Sequence, residues 1–148
     1  MVNELTVLTS IHVLAAAFWV GGGLMLNVAM TLAGRSGEPQ NMLPAMKLAQ
    51  FVGPKVFGPL ALVVLASGAW LTEEYYDWGY LWIVLGLIGL VTVQAIGMLY
   101  LAPRAGRAIE GMEAGRPPPP GRNWVPIVAR LNLLLISAIL VLMVIKPT

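Results

Sequence analysis

His12 is the single histidine of the chain. It falls about eight residues into a long apolar run, roughly 12 Å from its start at a helical rise of about 1.5 Å per residue. An ionisable ring at that depth in a bilayer is either held by hydrogen bonds between helices or used as a ligand or proton site. On a helical wheel His12, Ala16, Trp19 and Gly23 share a face. That face is a narrow groove bounded by a large indole, with room for a flat ligand or for a close helix contact. Counted from the ends of their own spans, Ser67 and Ser137 reach a similar depth, so either hydroxyl is placed to orient the second ring nitrogen. The chemistry such a set supports is axial ligation of haem b by His12, with Trp19 packed on the macrocycle. His12 is equally the residue available to a metal ion or a proton.

A second polar layer lies deeper in sequence terms, toward the opposite side. Asn27, Lys55, Gln94, Arg130 and Asn132 fall there, one or two on each span. Lys55 and Arg130 have no carboxylate near them in the apolar runs. They read first as cations snorkelling to anionic headgroups, and alternatively, with Asn27 and Asn132, as a site for a carboxylate or phosphate. The methionines do not complete a haem site. Met25, Met30 and Met98 lie much nearer this second side than His12 does, and Met143 is shallower than it. A haem would therefore be five-coordinate, or would bridge the His12 residues of two copies. Copper handling calls for clustered thioethers and imidazoles, and the Met42–Met46 pair reads instead as the apolar face of a linker helix.

The elements that must position these residues follow from composition. The chain has 148 residues, 58% hydrophobic and 11% charged, with a mean hydropathy of +0.79. A water-soluble domain carries charge at about a quarter of its positions, which excludes that class. The absence of cysteine excludes disulfides, thiolate metal sites and cysteine nucleophiles. No phosphate-binding glycine loop and no nucleophile elbow is present. The net charge of +2 sits in loops of the cytoplasmic type, so the pI near 9.2 does not indicate nucleic acid.

About 20 apolar residues cross a bilayer as a helix. Four stretches qualify, at about 5–32, 52–71, 80–101 and 124–145, within one transmembrane domain covering 1–148. The expected fold class is all-α, an integral membrane up-down-up-down four-helix bundle. Pro44 is placed to open a short amphipathic helix before the second span, and Pro54 and Pro59 to bend that span. Ala17 with Gly21, and Gly89 with Gly97, are spaced for close helix approach. Arg35, Lys47 and Lys55 flank the first loop, and Arg104, Arg107, Arg116, Arg122 and Arg130 flank the third. Glu4, Glu73, Glu74 and Asp77 lie at the other side with Lys146 alone. The positive-inside rule then predicts loops one and three in the cytoplasm and both termini outside. Trp70, Tyr75, Tyr76, Trp78 and Tyr80 mark the outer interface, and Trp124 the inner one. The start MVNELT has no basic n-region, so the first apolar run reads as a retained span.

The stretch Ser10 to Gly23, SIHVLAAAFWVGGG, resembles the LHxxAxxxWxGG first span of a bacterial membrane superfamily. Its members include the copper-resistance D-type proteins, the HemJ-type protoporphyrinogen oxidases and an uncharacterised branch of four-span integral membrane proteins. The chain end, LLLISAILVLMVIKP with Lys146 and Pro147, is similar to the VxVVKP terminus of the HemJ type. In that type the first-span histidine ligates haem b, so the resemblance implies this role for His12. The type also carries a lysine in the third span and an arginine after the aromatic–glycine segment. Here LWIVLGLIGLVTVQAIGML has no lysine, and LNVAMTLAG has no arginine before Arg35. The chain looks more like the uncharacterised branch.

Three functions are carried forward. The first is a haem b protein of the bacterial cytoplasmic membrane with a redox or porphyrin-related role, and the second a metal-ion or copper-handling protein. The third is a non-catalytic membrane subunit or scaffold, with His12 structural and the basic, proline-rich loop docking a partner. The expected partners are the lipid bilayer and a second copy or another membrane protein.

Overall fold

The computed structural model describes residues 3–116 and 123–146. The four-proline run and Arg122 lie outside the described residues, as does Pro147. The described chain is helical, without strands, and has four helices long and apolar enough to cross a membrane. Helix α1 runs Glu4–Arg35, α2 Pro39–Val52, α3 Gly58–Tyr75, α4 Leu81–Ala95, α5 Ala102–Glu113 and α6 Val125–Ile145.

Local chemistry sets the helix ends. The Asn3 side chain caps α1, accepting from the Thr6 N–H at 2.9 Å, with Glu4 in the first turn beside the positive end of the helix dipole. Gly37, at φ 70°, turns the chain after α1. Between α3 and α4, the Asp77 carboxylate accepts from the Gly79 N–H at 2.6 Å, a short Asx turn that reverses the chain.

The second and third spans are longer than their apolar cores. The structure has continuous helices over Gln40–Tyr75 and Leu81–Glu113, so the segments expected at 52–71 and 80–101 are their central parts. Pro39, not Pro44, is the first residue of α2, and Pro44 lies inside that helix. The other prolines are absorbed by two π-turns, Gly53–Phe57 and Ile96–Leu101. In each, an N–H reaches back five residues, Gly58 to Gly53 and Ala102 to Gly97. The next residue in each case is proline, Pro59 or Pro103. A proline lacks the donor for the carbonyl four residues back and its ring crowds that carbonyl; a widened turn relieves both without ending the helix.

Register is visible in the close contacts. His12 of α1 lies beside Ser67 and Gly68 of α3, and Gly22 lies under the Phe57 ring, so α1 and α3 are antiparallel. Gly86 and Gly89 of α4 face Met143 and Ile139 of α6, again antiparallel. Trp19, Ala61, Val93 and Ile136, one buried residue from each span, meet in the core. Lipid is as apolar as leucine, so these helices are held by close packing rather than by exclusion of water. The three glycines that admit Phe57, Met143 and Ile139 are part of what holds them.

Beyond the spans α2 and α5 pack antiparallel as a stalk at the basic end. Met46 and Ile109 are buried there, Gln50 lies at Gly106, and Lys47 Nζ meets Glu113 Oε1 at 2.6 Å. The Met42 methyl group rests on Gly34, tying the stalk to the end of α1.

Candidate functional site

His12 is half-buried, and its Nδ1 lies 3.0 Å from Ser67 Oγ. The Ser67 hydroxyl donates to the Val63 carbonyl at 2.6 Å. With its one proton committed, the serine oxygen accepts from the histidine, which assigns the Nδ1–H tautomer and leaves the lone pair on Nε2. The imidazole lies against Gly68: a Cβ there would stand 2.9 Å from His12 Cε1. A small residue on α3 is therefore what lets the ring sit between the helices.

Trp19 is on the inward face of α1, but it packs against Ala61, Val93 and Ile136 in the core rather than beside the imidazole. Ser137 turns its hydroxyl to its own helix, donating to the Leu133 carbonyl at 2.8 Å. So of the four residues singled out around a cofactor, the structure joins His12 and Ser67 and leaves Trp19 and Ser137 elsewhere. Further along that face a Cβ on Gly23 would stand 3.5 Å from the Leu133 side chain, and Gly22 is covered by Phe57. Among the described residues no three His, Asp or Glu side chains gather as a metal-holding group.

The second polar layer is dispersed. Asn27 donates through Nδ2 to the Gly23 carbonyl of its own helix at 3.0 Å. Lys55 lies over the Phe51 ring, 4.7 Å from its centroid, a cation–π contact one turn back on the same helix. Arg130 is exposed at the start of the fourth span. Asn132 is different. Its Oδ1 is buried and has no hydrogen-bond partner among the described residues.

The seam between α4 and α6 explains where Asn132 falls. Gly86 meets Met143, Gly89 meets Ile139, and Val93 shares the core with Ile136. Continued one step, that antiparallel register puts Gly97 at the level of Asn132, without contact at the Gly97 Cβ position. A Cβ on Gly89 would stand 2.6 Å from Ile139, whereas one on Gly97 would meet nothing within 4 Å. The seam is tight through three steps and loosens at the fourth, where the second π-turn begins. The small-residue spacing of Gly89 and Gly97 thus marks one close approach. Gly21 likewise has open space at its Cβ position.

Sequence reasoning missed Gly68, whose signal was its place next to Ser67 at the depth of His12. It also missed the role of Lys146, which donates to Tyr76 Oη at 2.7 Å. The same ammonium lies 4.6 Å from the Tyr76 ring centroid and 5.5 Å from that of Trp82. The aromatic ends of the second and third spans, at the acidic end of the molecule, therefore clasp the end of the fourth.

Comparison with known proteins agrees with this all-helical membrane architecture. A model of a family described as predicted integral membrane protein (DUF2269) matches residues 6–147. No curated protein and no solved structure matches the chain. With nearly its whole length covered by that match, the chain belongs to this family of predicted integral membrane proteins.

Proposed function

We propose that this chain is a non-catalytic subunit or scaffold of the bacterial cytoplasmic membrane. In this reading its helices run up-down-up-down with both termini outside. The observation that carries it is the closed state of His12: Nδ1 held by Ser67, the ring pressed on Gly68, and the adjoining core filled by Trp19. An imidazole satisfied in this way is an interhelical fastener. What remains free to engage a partner is the basic end, where Arg107 and Arg116 are exposed on and beside the α2–α5 stalk. A stalk held rigid by Met46, Ile109 and the Lys47–Glu113 pair presents those charges beyond the bilayer, to a membrane-protein partner, a second copy or anionic lipid. Replacing Arg104, Arg107, Arg116 and Arg122 by Gln should remove co-purifying protein or phosphatidylglycerol, quantified by mass spectrometry, while His12→Ala retains it. The reverse pattern contradicts the proposal.

A second reading is haem b ligated by His12, with a redox or porphyrin-related role. One feature favours it: the Ser67 contact leaves the Nε2 lone pair for a metal, the arrangement that orients ligating histidines. Such a haem would be five-coordinate or shared between two copies. Copper or other metal-ion handling at His12 would need donors beyond a His, Asp and Glu set, since no three of these gather among the described residues.

A further inference from the structure

The acidic end of the molecule carries a surface hollow of about 440 Å³, lined by Ala69, Trp70, Glu73, Glu74 and Trp78. Ala69, Trp70, Glu73 and Glu74 lie on the last turns of α3, where positions three and four apart share a face. Trp78 comes from the following loop and is pinned back over them, its Nε1–H donating to Glu73 Oε2 at 2.9 Å. The small side chain of Ala69 leaves the floor low, and both indoles are about half exposed, Trp70 at 54% and Trp78 at 48%.

Two further observations say what this hollow suits. Among the described residues Lys47–Glu113, at the far end, is the only ion pair. Among the described residues Glu73 and Glu74 therefore have no counter-cation within ion-pair distance, although they stand beside aromatic rings whose faces attract cations. A few residues away the same end already holds an ammonium among aromatics: Lys146 over Tyr76 and Trp82. That neighbouring set is filled by the chain's own lysine. The Trp70–Trp78 hollow has the same aromatic character, adds two carboxylates, and has no lysine or arginine in its lining among the described residues.

We propose that this hollow binds an organic ammonium group, primary or quaternary, with Glu73 and Glu74 supplying charge and Trp70 and Trp78 the walls. The site lies at the interfacial aromatic level, so the group can come from a zwitterionic lipid headgroup or from a free amine. The inference concerns the opposite end of the molecule from the basic stalk and does not rest on the scaffold reading.

The full chain is placed in nanodiscs of phosphatidylglycerol or of phosphatidylethanolamine with phosphatidylglycerol. It is titrated with tetramethylammonium chloride against sodium chloride of equal ionic strength, following tryptophan emission. The expected result in phosphatidylglycerol is a saturable change with tetramethylammonium that sodium does not reproduce, weakened roughly fivefold or more in Glu74→Gln. Glu73→Gln keeps an acceptor for the Trp78 N–H, so the Glu73→Gln/Glu74→Gln double variant removes charge while keeping the wall in place and should abolish the change. Suppression of the response in phosphatidylethanolamine assigns the site to the lipid headgroup; an equal response in both lipids assigns it to a soluble amine. A response matched by sodium, or one that survives in the double variant, overturns the proposal.

Discussion

The two polar layers of the membrane interior are built in opposite ways. Toward the acidic end His12 has a serine partner, its ring is received by Gly68, and Gly86 and Gly89 are occupied by Met143 and Ile139. Toward the basic end Asn132 has a buried oxygen with no hydrogen-bond partner among the described residues, Gly97 has open space, and the π-turn Ile96–Leu101 widens its helix there. A residue that looks like chemistry in the sequence thus has its Nδ1 met by a hydroxyl of a neighbouring helix. The less conspicuous asparagine is the one left unmet. Polar identity at a given depth raises the question of function, and hydrogen bonding with packing decides it.

The largest expected effect separates the two halves directly. Gly89→Leu forces a branched side chain into the space held by Ile139 and should destabilise the protein by about 3 kcal/mol or more, at or beyond the upper end for overpacking. Gly97→Ala, on the same helix, should be neutral or stabilising by up to about 1 kcal/mol, since alanine replaces glycine in a helix with room for it. Detergent-resistant thermal unfolding of both variants checks the contrast; equal losses would erase the difference between the halves.

The fastener itself comes next. A double-mutant cycle with His12→Ala and Ser67→Ala should give a coupling of about 0.6–1.7 kcal/mol, the range for interhelical hydrogen bonds in membranes. A coupling indistinguishable from zero would mean that the contact does not join α1 to α3 energetically. For Asn132→Leu the expectation is the opposite sign: no loss, or a gain of about 1 kcal/mol, because an unmet buried acceptor is removed. A clear loss there would show that Asn132 is partnered in the bilayer. The smallest effect belongs to the stalk, where Lys47 and Glu113 are about half exposed, with side chains 52% and 48% accessible. Lys47→Gln should shift stability by no more than about 0.5 kcal/mol.

Much of the fold is legible in the sequence because a bilayer demands about 20 apolar residues per span and this chain supplies them four times. Proline marks where the second and third spans depart from their expected bounds. Pro44 reads as a helix start and Pro54 and Pro59 as bends, whereas π-turns carry the helices past Pro59 and Pro103 to form the stalk. At the site, depth counting placed Ser67 and Ser137 alike opposite His12. Depth fixes a level but not a face, and the Ser137 hydroxyl is spent on the Leu133 carbonyl. Trp19 illustrates the same limit, since a helical wheel aligns it with His12 while the bundle takes it into the core. The Lys146 clasp had a visible signal in Tyr76, Tyr80 and Trp82 near one interface, but only the fold brings residue 146 back to them.

We propose that His12 fastens α1 to α3 rather than ligating a haem. The visible spectrum and pyridine haemochrome of the detergent-purified protein, expressed with ample haem beside its His12→Ala variant, test it most directly. The account predicts two colourless proteins. A Soret band in the wild type that disappears in His12→Ala would contradict it and place a haem on the first span.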